Sequence, residues 1–317
     1  MSRERDFIAR LAAVATAPAA RGLMDDVAVL AMGDRALVLT HDMIVEGVHY
    51  LPGDPPEDVA WKLVAVNLSD LAAKGATPLG VLLGYPLAAD DAWDAAFVRG
   101  LGDACAAFAA PLLGGDTVAV PAGSARQLGL TAIGTVAADA APARSGARDG
   151  DALYVTGTIG AAGLGLDVAL GGRTGPRDWL DAYRRPQPRL DAGALLAPLA
   201  HAMMDVSDGL LIDAVRMAEA SGVAVAIDLD ALPLATGAPA DRAGRLDAAT
   251  AGDDYELLFA AAPGVAMPPA LSVPVTRIGR FAAGAGLSIR DAAGPVPLPA
   301  RLGYAHGERA CGLPKLR

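Results

Sequence analysis

The spacing of apolar residues in the first 140 positions predicts helices and strands in alternation. RDFIARLAAVA, from Arg5, has helical spacing, whereas VAVL and ALVLTHD, separated by a Met-Gly-Asp turn, predict two strands. A long helical pattern from Glu57 to Lys74 stops at Gly75, a residue typical of helix C-termini. Beyond it we expect a buried strand over 78–87, a helix over 91–110, and strands over 111–117 and 126–139. This order, without strict parallel crossovers, favours α+β layers.

A break between apolar segments lies at Ala141–Asp151, where Pro, Gly, Ser and charged residues cluster. We therefore predict two domains, residues 1–140 and 146–317. The second half is expected to contain the strand DALYVTG, the helix GAAGLGLDVALGG, a Pro- and Arg-rich connection over 184–188, the segment MMDVSDGLLIDAVRMAEA, and the strands VAVAIDL, YELLFAA and VTRIGRF. NLSDL at 67–71 weakly resembles DVSDGL at 205–210.

Composition narrows the classes of protein that fit. Hydrophobic residues make up 53% of the chain and aromatic residues only 4%, which indicates globular cores of small aliphatic side chains. The 36 acidic residues outnumber the 26 basic ones, and the net charge of -10 disfavours nucleic acid as a partner. With lysine only at Lys62, Lys74 and Lys315, no lysine-rich patch is present to bind a membrane surface.

The two cysteines and the N-terminus favour a cytoplasmic protein. Cys105 and Cys311 are far apart and form no CxxC pair. The N-terminal stretch faintly resembles a signal peptide, but Glu4, Asp6 and Arg10 interrupt it. No apolar run approaches the ~20 residues of a membrane-spanning helix.

Aspartates in apolar surroundings are the most informative feature of the sequence. An unpaired buried carboxylate is costly, so such residues need a cation or several hydrogen-bond donors. Scattered oxygen ligands suit magnesium, which keeps waters and substrate phosphates in its coordination shell. The residues concerned are Asp25, Asp26, Asp42, Asp70, Asp116, Asp205 and Asp208.

Each of these signals has an ordinary alternative. Asp70 fits a solvated polar stripe on an amphipathic helix, and the GGDT peptide around Asp116 fits a simple turn. Ser207 or Asp208 fits a helix N-cap, a position that also favours phosphate. Arg144 is a candidate phosphate clamp or one surface arginine among many.

Several nucleotide and metal motifs are absent. There is no GxxxxGK[ST] sequence, and although Gly160, Gly163 and Gly165 follow a predicted strand, Val168 stands where the third glycine of a dinucleotide fingerprint would be required. No HExxH or Cys/His cluster suggests zinc, and no GxSxG elbow suggests a serine nucleophile.

Seven motifs, in order and at comparable spacing, resemble those of the thiamine-monophosphate kinase family, which belongs to a superfamily with aminoimidazole ribonucleotide synthetase. They are MDDVAVL, LTHDMIVEGVHY, WKLVAVNLSDLAAKGATP, LLGGDT, RSGARDGDALYVTG, MDVSDGL and GDDYELLF, and they cover nearly the whole chain. The resemblance implies a two-domain fold. Residues 1–140 would form a mixed sheet that binds ATP and magnesium and pairs in a homodimer, and residues 146–317 an α/β sandwich completing the site.

The resemblance also implies a reaction and a set of site residues. The reaction is direct transfer of the ATP γ-phosphoryl group to thiamine monophosphate, with several magnesium ions and no covalent enzyme intermediate. The implied magnesium positions are Asp26, Thr40, His41, Asp42, Asp70, Asp116, Asp205 and Asp208. The implied nucleotide positions are Gly115, Asp116, Arg144 and Ser207, and those for thiamine phosphate are His49, Asp253 and Tyr304.

Three residues depart from the family pattern. His41 replaces a usual Thr, Asp253 a usual Glu, and Met24 a common Gly. Imidazole is a poor magnesium ligand, so His41 is expected to offer its backbone carbonyl, and the shorter Asp253 puts the substrate in question. Two alternatives stay open: the changes at His41 and Asp253 suggest a related ATP-using enzyme with a different acceptor, and the acidic charge suggests a non-catalytic protein that binds nucleotide or cations.

Overall fold

The first half of the molecule is built on a five-stranded mixed sheet with strand order β1-β2-β5-β3-β4. The computed structural model describes residues 3–88, 90–121 and 123–305, so Cys311 and Lys315 lie outside the described residues. β3 and β4 are parallel and the other neighbouring pairs are antiparallel. The bounds are α1 Arg3–Ala12, β1 Ala28–Met32, β2 Arg35–Val45, α2 Pro56–Ala72, β3 Thr77–Leu87, α3 Asp91–Ala107, β4 Leu112–Ala119 and β5 Gln127–Ala137.

The second half contains a seven-stranded sheet with strand order β12-β11-β8-β10-β6-β9-β7. Only the β8–β11 pair is parallel among the described strands of this sheet. The bounds are β6 Ala152–Thr156, α4 Ala161–Ala169, α5 Arg177–Arg184, α6 Leu190–Leu196, β7 Ala202–Asp205, α7 Leu210–Ser221, β8 Ala224–Asp228, α8 Arg242–Ala251, β9 Leu257–Ala261, β10 Val275–Ala282, β11 Gly286–Asp291 and β12 Gly294–Val296.

Helix α2 is the structural link between the two halves. Every residue from Val59 to Ala72 is buried, so the helix has no solvent-facing stripe. One side packs on the first sheet through residues such as Leu63 and Leu68, while its end, at Ala72, joins a core with α6 and the second sheet. The solvated-stripe alternative for Asp70 is therefore wrong.

The first sheet has one covered face and one open face. Val38 on β2, Leu130 on β5 and Val81 on β3 are buried beneath α2. On the other face Leu82 pairs with Thr131, which pairs with His41, and 38% of the Leu82 surface is exposed. The described residues of β4 are exposed along its whole length. The expectation that 78–87 is a buried strand is thus only half correct: the strand is present, but it alternates between the two faces.

Most predicted elements are present, with shifted ends. The helix expected to reach Ala110 ends at Ala107, and the strand carrying GGDT continues to Ala119 instead of ending in a turn. Helices α5, α6 and α8 and strands β11 and β12 had no counterpart in the sequence interpretation. These elements are short, and a few residues give little periodic signal.

Candidate functional site

A cleft of about 550 Å³ lies where the end of β2, helix α2 and the second half of the chain meet. One part of its wall is acidic and the other is apolar and aromatic. Its lining includes Asp26, Asp42, Asp70, Asp205, Asp208, Ser207 and Asp253 with Met43, Ile44, Val48, His49, Tyr50, Val66, Leu166, Tyr183, Tyr255, Arg301 and Tyr304. Nine of the predicted site residues therefore line one cleft: Asp26, Asp42, His49, Asp70, Asp205, Ser207, Asp208, Asp253 and Tyr304.

Strand β2 and helix α2 bring Asp42 and Asp70 together at the floor of the cleft. Asp70 accepts a hydrogen bond of 2.5 Å from the Thr40 hydroxyl, and the amide oxygen of Asn67 accepts the backbone N–H of Asp42 at 2.9 Å. Burial, followed by the nearby charges of Asp42, Asp205 and Asp26, raises the pKa of Asp70 well above its usual value. In the absence of a cation, protons therefore neutralise part of this cluster.

The two similar peptides of the sequence meet at a hydrogen bond. The hydroxyl of Ser69, in the first peptide, donates to the Asp205 carboxylate of the second at 2.6 Å. Asp205 is 2% exposed, and burial together with the charge of Asp26 raises its pKa to about 8. This hydrogen bond holds Asp205 beside helix α2, so that carboxylates from both halves of the chain lie on one wall.

The turn over 207–209 is held by a carboxylate that sequence reasoning missed. One oxygen of Asp213, in α7, accepts the backbone N–H groups of Ser207, Asp208 and Gly209 at 3.1, 3.1 and 3.2 Å. Arg216 donates to Asp213 at 2.8 Å and to Asp208 at 2.5 Å. The residue before α7 is Gly209, so the N-cap alternative for Ser207 and Asp208 is wrong. Both residues line the cleft, and the Asp208 carboxylate is bonded to Arg216 there.

The Asp-Asp pair before β1 contacts three cations. Asp25 is bonded to Arg21 and Lys74, each at 2.6 Å, while Asp26 forms an ion pair with Arg144. Arg144 is thus engaged within the chain and does not line the cleft. The second oxygen of Asp26, Oδ2, is buried and has no hydrogen-bond partner.

Two of the three residues assigned to thiamine phosphate, His49 and Asp253, contact a buried lysine. Lys62 is 2% exposed and donates to the carbonyl of His49 at 2.9 Å and to the Asp253 carboxylate at 2.7 Å. The other Asp253 oxygen accepts the Tyr255 hydroxyl at 3.0 Å. The His49 ring accepts the backbone N–H of Val45 at 3.0 Å. Lys62 was not among the predicted site residues. The sequence signal that could have identified it is a single lysine among the apolar residues of the WKLVAVNLSDL motif.

Three predicted residues lie elsewhere in the first sheet. The His41 ring contacts Thr131 at 2.9 Å on the open face of the sheet. Only the backbone of His41, next to Asp42 in β2, therefore lies towards the cleft. Gly115 lies in a row with Asp42 through Leu83 and Leu130, three strand spacings or roughly 14 Å away. Asp116 follows it on the exposed edge strand β4. A single chain therefore does not bring Gly115 and Asp116 to the other carboxylates.

The carboxylate set fits a cation that takes part of its coordination from elsewhere. Within the described ranges, no three acidic, histidine or cysteine side chains converge into a complete ligand set. Magnesium ordinarily binds one or two protein carboxylates, with waters and substrate phosphates completing the octahedron. An ion bound here would relieve the raised pKa values of Asp70 and Asp205 and would supply a contact to Asp26 Oδ2, which has no hydrogen-bond partner.

One cation of the cleft was not anticipated. Arg301 is the single arginine or lysine among the described lining residues. It stands three residues before Tyr304, at the aromatic part of the wall, where a guanidinium suits an anionic ligand. Nothing in its local sequence distinguishes it from other arginines of this chain.

Comparisons with known proteins match both halves. Residues 24–136 match the model for the AIR synthase related protein, N-terminal domain, and residues 148–290 that for its C-terminal domain. A thiamine-monophosphate kinase of Caulobacter vibrioides is 41% identical, covering 96% of this chain and 91% of its own length. The Escherichia coli thiamine-monophosphate kinase is 38% identical, covering 83% and 84%. A solved structure, AaThiL complexed with AMPPCP and TMP, superposes with a TM-score of 0.79 at 29% identity, covering 89% of this chain and 91% of that one.

Proposed function

The chain belongs to the thiamine-monophosphate kinase family, and we propose that it transfers the γ-phosphoryl group of ATP directly to the phosphate of thiamine monophosphate. The products are thiamine diphosphate and ADP. The observation that carries this proposal is the divided cleft, with carboxylates of both chain halves on one part of the wall and aliphatic and aromatic side chains on the other. A related structure holds AMPPCP and TMP, an ATP analogue together with a phosphorylated acceptor.

Magnesium is the ion that this carboxylate set suits, and we assign it more than one position. The side chains proposed to hold it are Asp26, Asp42, Asp70, Asp205 and Asp208 in the cleft, with Thr40 beneath Asp70, the backbone of His41, and Asp116. When bound, the ions would neutralise charge on the transferring phosphoryl group and its neighbours. Without metal, Asp26 is paired with Arg144 and Asp208 with Arg216, whereas the pKa values of Asp70 and Asp205 are raised.

The nucleotide is proposed to contact Gly115, Asp116, Arg144 and Ser207. Ser207 lies in the turn fixed by Asp213, directly before α7, and it lines the cleft. Arg144 can reach phosphate oxygens only by sharing or exchanging its bond to Asp26. Gly115 and Asp116 lie on the edge strand, so their participation requires a second copy of the chain. We therefore propose a homodimer that pairs through the open face of the first sheet.

The acceptor is proposed to lie along the aromatic part of the wall, near His49, Asp253 and Tyr304. Thiamine carries a positively charged thiazolium ring, and the surrounding tyrosines offer ring faces that attract a cation. Lys62 neutralises Asp253 and fixes its orientation, which supports a positioning role for that carboxylate. Residues 1–140 and 146–317 both contribute to the cleft, in keeping with the proposed division into two domains.

The main contribution of this chain to the reaction is to hold the two substrates in the correct orientation. Phosphoryl transfer requires the attacking and leaving oxygens to lie in line, with charge stabilised around the moving group. Asp42 and Asp70 are fixed by Asn67 and Thr40, and Asp205 by Ser69, so the wall is organised before substrates bind. No side chain is needed as a nucleophile, because the acceptor phosphate supplies the attacking oxygen. We place this reaction in the cytoplasm, where ATP is available.

The deciding experiment supplies magnesium-ATP and thiamine monophosphate to the purified protein and separates the thiamine esters. We expect thiamine diphosphate and ADP in equal amounts. ATP turnover with another small acceptor, and none with thiamine monophosphate, would favour the related-enzyme alternative, for which the shortened, Lys62-bound Asp253 is the motivating observation. Binding of ATP without any turnover would overturn the kinase assignment.

A further inference from the structure

A fully buried lysine lies next to the acidic cleft, just beyond the end of α2. Lys74 is 0% exposed. Its ammonium nitrogen lies 2.6 Å from Asp25 Oδ1 and 3.8 Å from Asp26 Oδ2, and it donates to the Met203 carbonyl at 3.1 Å. A buried ammonium group requires a carboxylate partner to remain charged. Lys74 and Asp25 satisfy each other in this way.

The two neighbouring aspartates differ in their contacts. Both oxygens of Asp25 are engaged: Oδ1 by Lys74 and by the backbone N–H of Asp26 at 3.0 Å, and Oδ2 by Arg21 at 2.6 Å. Its side chain is only 3% exposed. Asp26, in contrast, uses Oδ1 for Arg144, while its buried Oδ2 has no hydrogen-bond partner. Only Asp26 of this pair lines the cleft.

We propose that Lys74 is a built-in cation that permanently neutralises Asp25, leaving Asp26 Oδ2 as the oxygen of the pair that receives exchangeable magnesium. Asp25 is then not a metal ligand. This inference rests on the proposed function for the identity of the exchangeable ion. It gives Lys74 a positioning role through Asp25.

The charge of Lys74 also influences the affinity of the site. Its nitrogen is 3.8 Å from Asp26 Oδ2, the oxygen without a hydrogen-bond partner, so it competes electrostatically with any cation bound there. Through the Met203 carbonyl it also connects the end of α2 with β7, two residues before Asp205. Before metal binds, Lys74 therefore connects the two halves of the cleft. Its positive charge also lowers the affinity of the site for magnesium.

The test measures the melting temperature in MgCl₂ titrations of three variants and the wild type. Lys74→Met should melt several degrees lower without magnesium, because Asp25 loses its main partner. It should also need several-fold less magnesium for half of its stabilisation. Asp25→Asn leaves Lys74 uncompensated and should need several-fold more magnesium. If the two substitutions only damaged the structure, the magnesium requirements of Lys74→Met and Asp25→Asn would not change in opposite directions.

The double variant Lys74→Met/Asp25→Asn separates the explanations. It removes both charges, so its magnesium requirement should return to within about twofold of the wild type, and it keeps the test available if Lys74→Met does not fold without magnesium. If Asp25 is itself a ligand, the double variant will lack that ligand and will need clearly more than twice the magnesium of the wild type, and the inference is overturned. A wild-type protein with neither kinase activity nor magnesium-dependent melting would overturn the proposed function as well.

Discussion

At the scale of single residues, the acidic wall includes two deeply buried carboxylates, those of Asp70 and Asp205, whose pKa values are raised in the absence of a metal. Asp70 is 7% exposed and bonded to Thr40, and Asp205 is 2% exposed and bonded to Ser69. Neither contact supplies a positive charge, so burial and mutual repulsion dominate both pKa values. Such sites are expected where a cation or substrate supplies the missing interaction.

Asp70→Asn should separate function from folding. We expect kcat to fall by at least about 100-fold, since a charge held against the transferring phosphate is lost. The melting temperature without magnesium should stay within about 2 °C of the wild type, because asparagine resembles the protonated acid and can still accept from Thr40. Asp103→Asn, at an exposed position of α3, is the matched control and should change neither quantity. Retained turnover in Asp70→Asn would show that the metal assignment is wrong.

The raised pKa of Asp205 predicts a pH dependence with a defined sign. Its folded value of about 8 exceeds the ordinary value of 3.8, so the folded state holds this proton more tightly than the unfolded state does. Its contribution to metal-free stability is fully present below about pH 4 and is lost as the pH rises through 8.

Magnesium must displace that proton, so the magnesium concentration for half-maximal stabilisation should fall as the pH rises from 6 to 8, by up to about tenfold per unit for one released proton. Calorimetry in buffers of different ionisation enthalpy measures the release directly. Asp205→Asn should abolish this component of it. A magnesium requirement independent of pH would contradict the prediction.

At the scale of elements, the long periodic segments were the predictable part and the contacts between them were not. Glu57 to Lys74 was expected to be a helix, and α2 runs from Pro56 to Ala72, with Gly75 at a φ of 62° just beyond it. Its complete burial was not evident, because a helix enclosed by two sheets has no polar stripe to reveal which sides are covered. Ser69 was therefore an unremarked residue until the structure placed it against Asp205.

The α2–α3 contact can be tested with two glycines of one helix. A Cβ at Gly100 would lie 2.3 Å from the Glu57 carbonyl oxygen at the start of α2, whereas one at Gly102 would have no atom within 4 Å. Gly100→Ala should therefore destabilise the protein by about 1–3 kcal/mol through overpacking. Gly102→Ala should stabilise it by about 0.5–1 kcal/mol through helix propensity. Thermal or urea unfolding measures both, and equal effects would mean that α2 and α3 are not so closely packed.

At the scale of the whole molecule, the sequence was sufficient to predict the family and a fold with a sheet in each half. It did not show whether one chain holds every residue of the site. The ordered motifs located carboxylates that converge from distant positions, such as Asp42 and Asp205, because each motif carries its own turn or helix signal. Whether Asp116 joins them depends on which surface meets a second chain, a property that no local pattern encodes.

Among the described helices, none has the length and apolar character of a membrane span.

In the proposed homodimer, the open face of the first sheet is the interface between the two chains. Leu82 lies on that face with 38% of its surface exposed, while Val98, 63% exposed, lies on α3. Leu82→Asp places a charge in the proposed interface and should yield a monomer by sedimentation or light scattering. Its turnover should fall steeply, since Asp116 and Gly115 of a second copy would no longer be available. Val98→Asp should leave both the mass and the turnover unchanged. A fully active monomeric wild-type protein would instead require Asp116, three strand spacings or roughly 14 Å from β2, to have no part in the reaction.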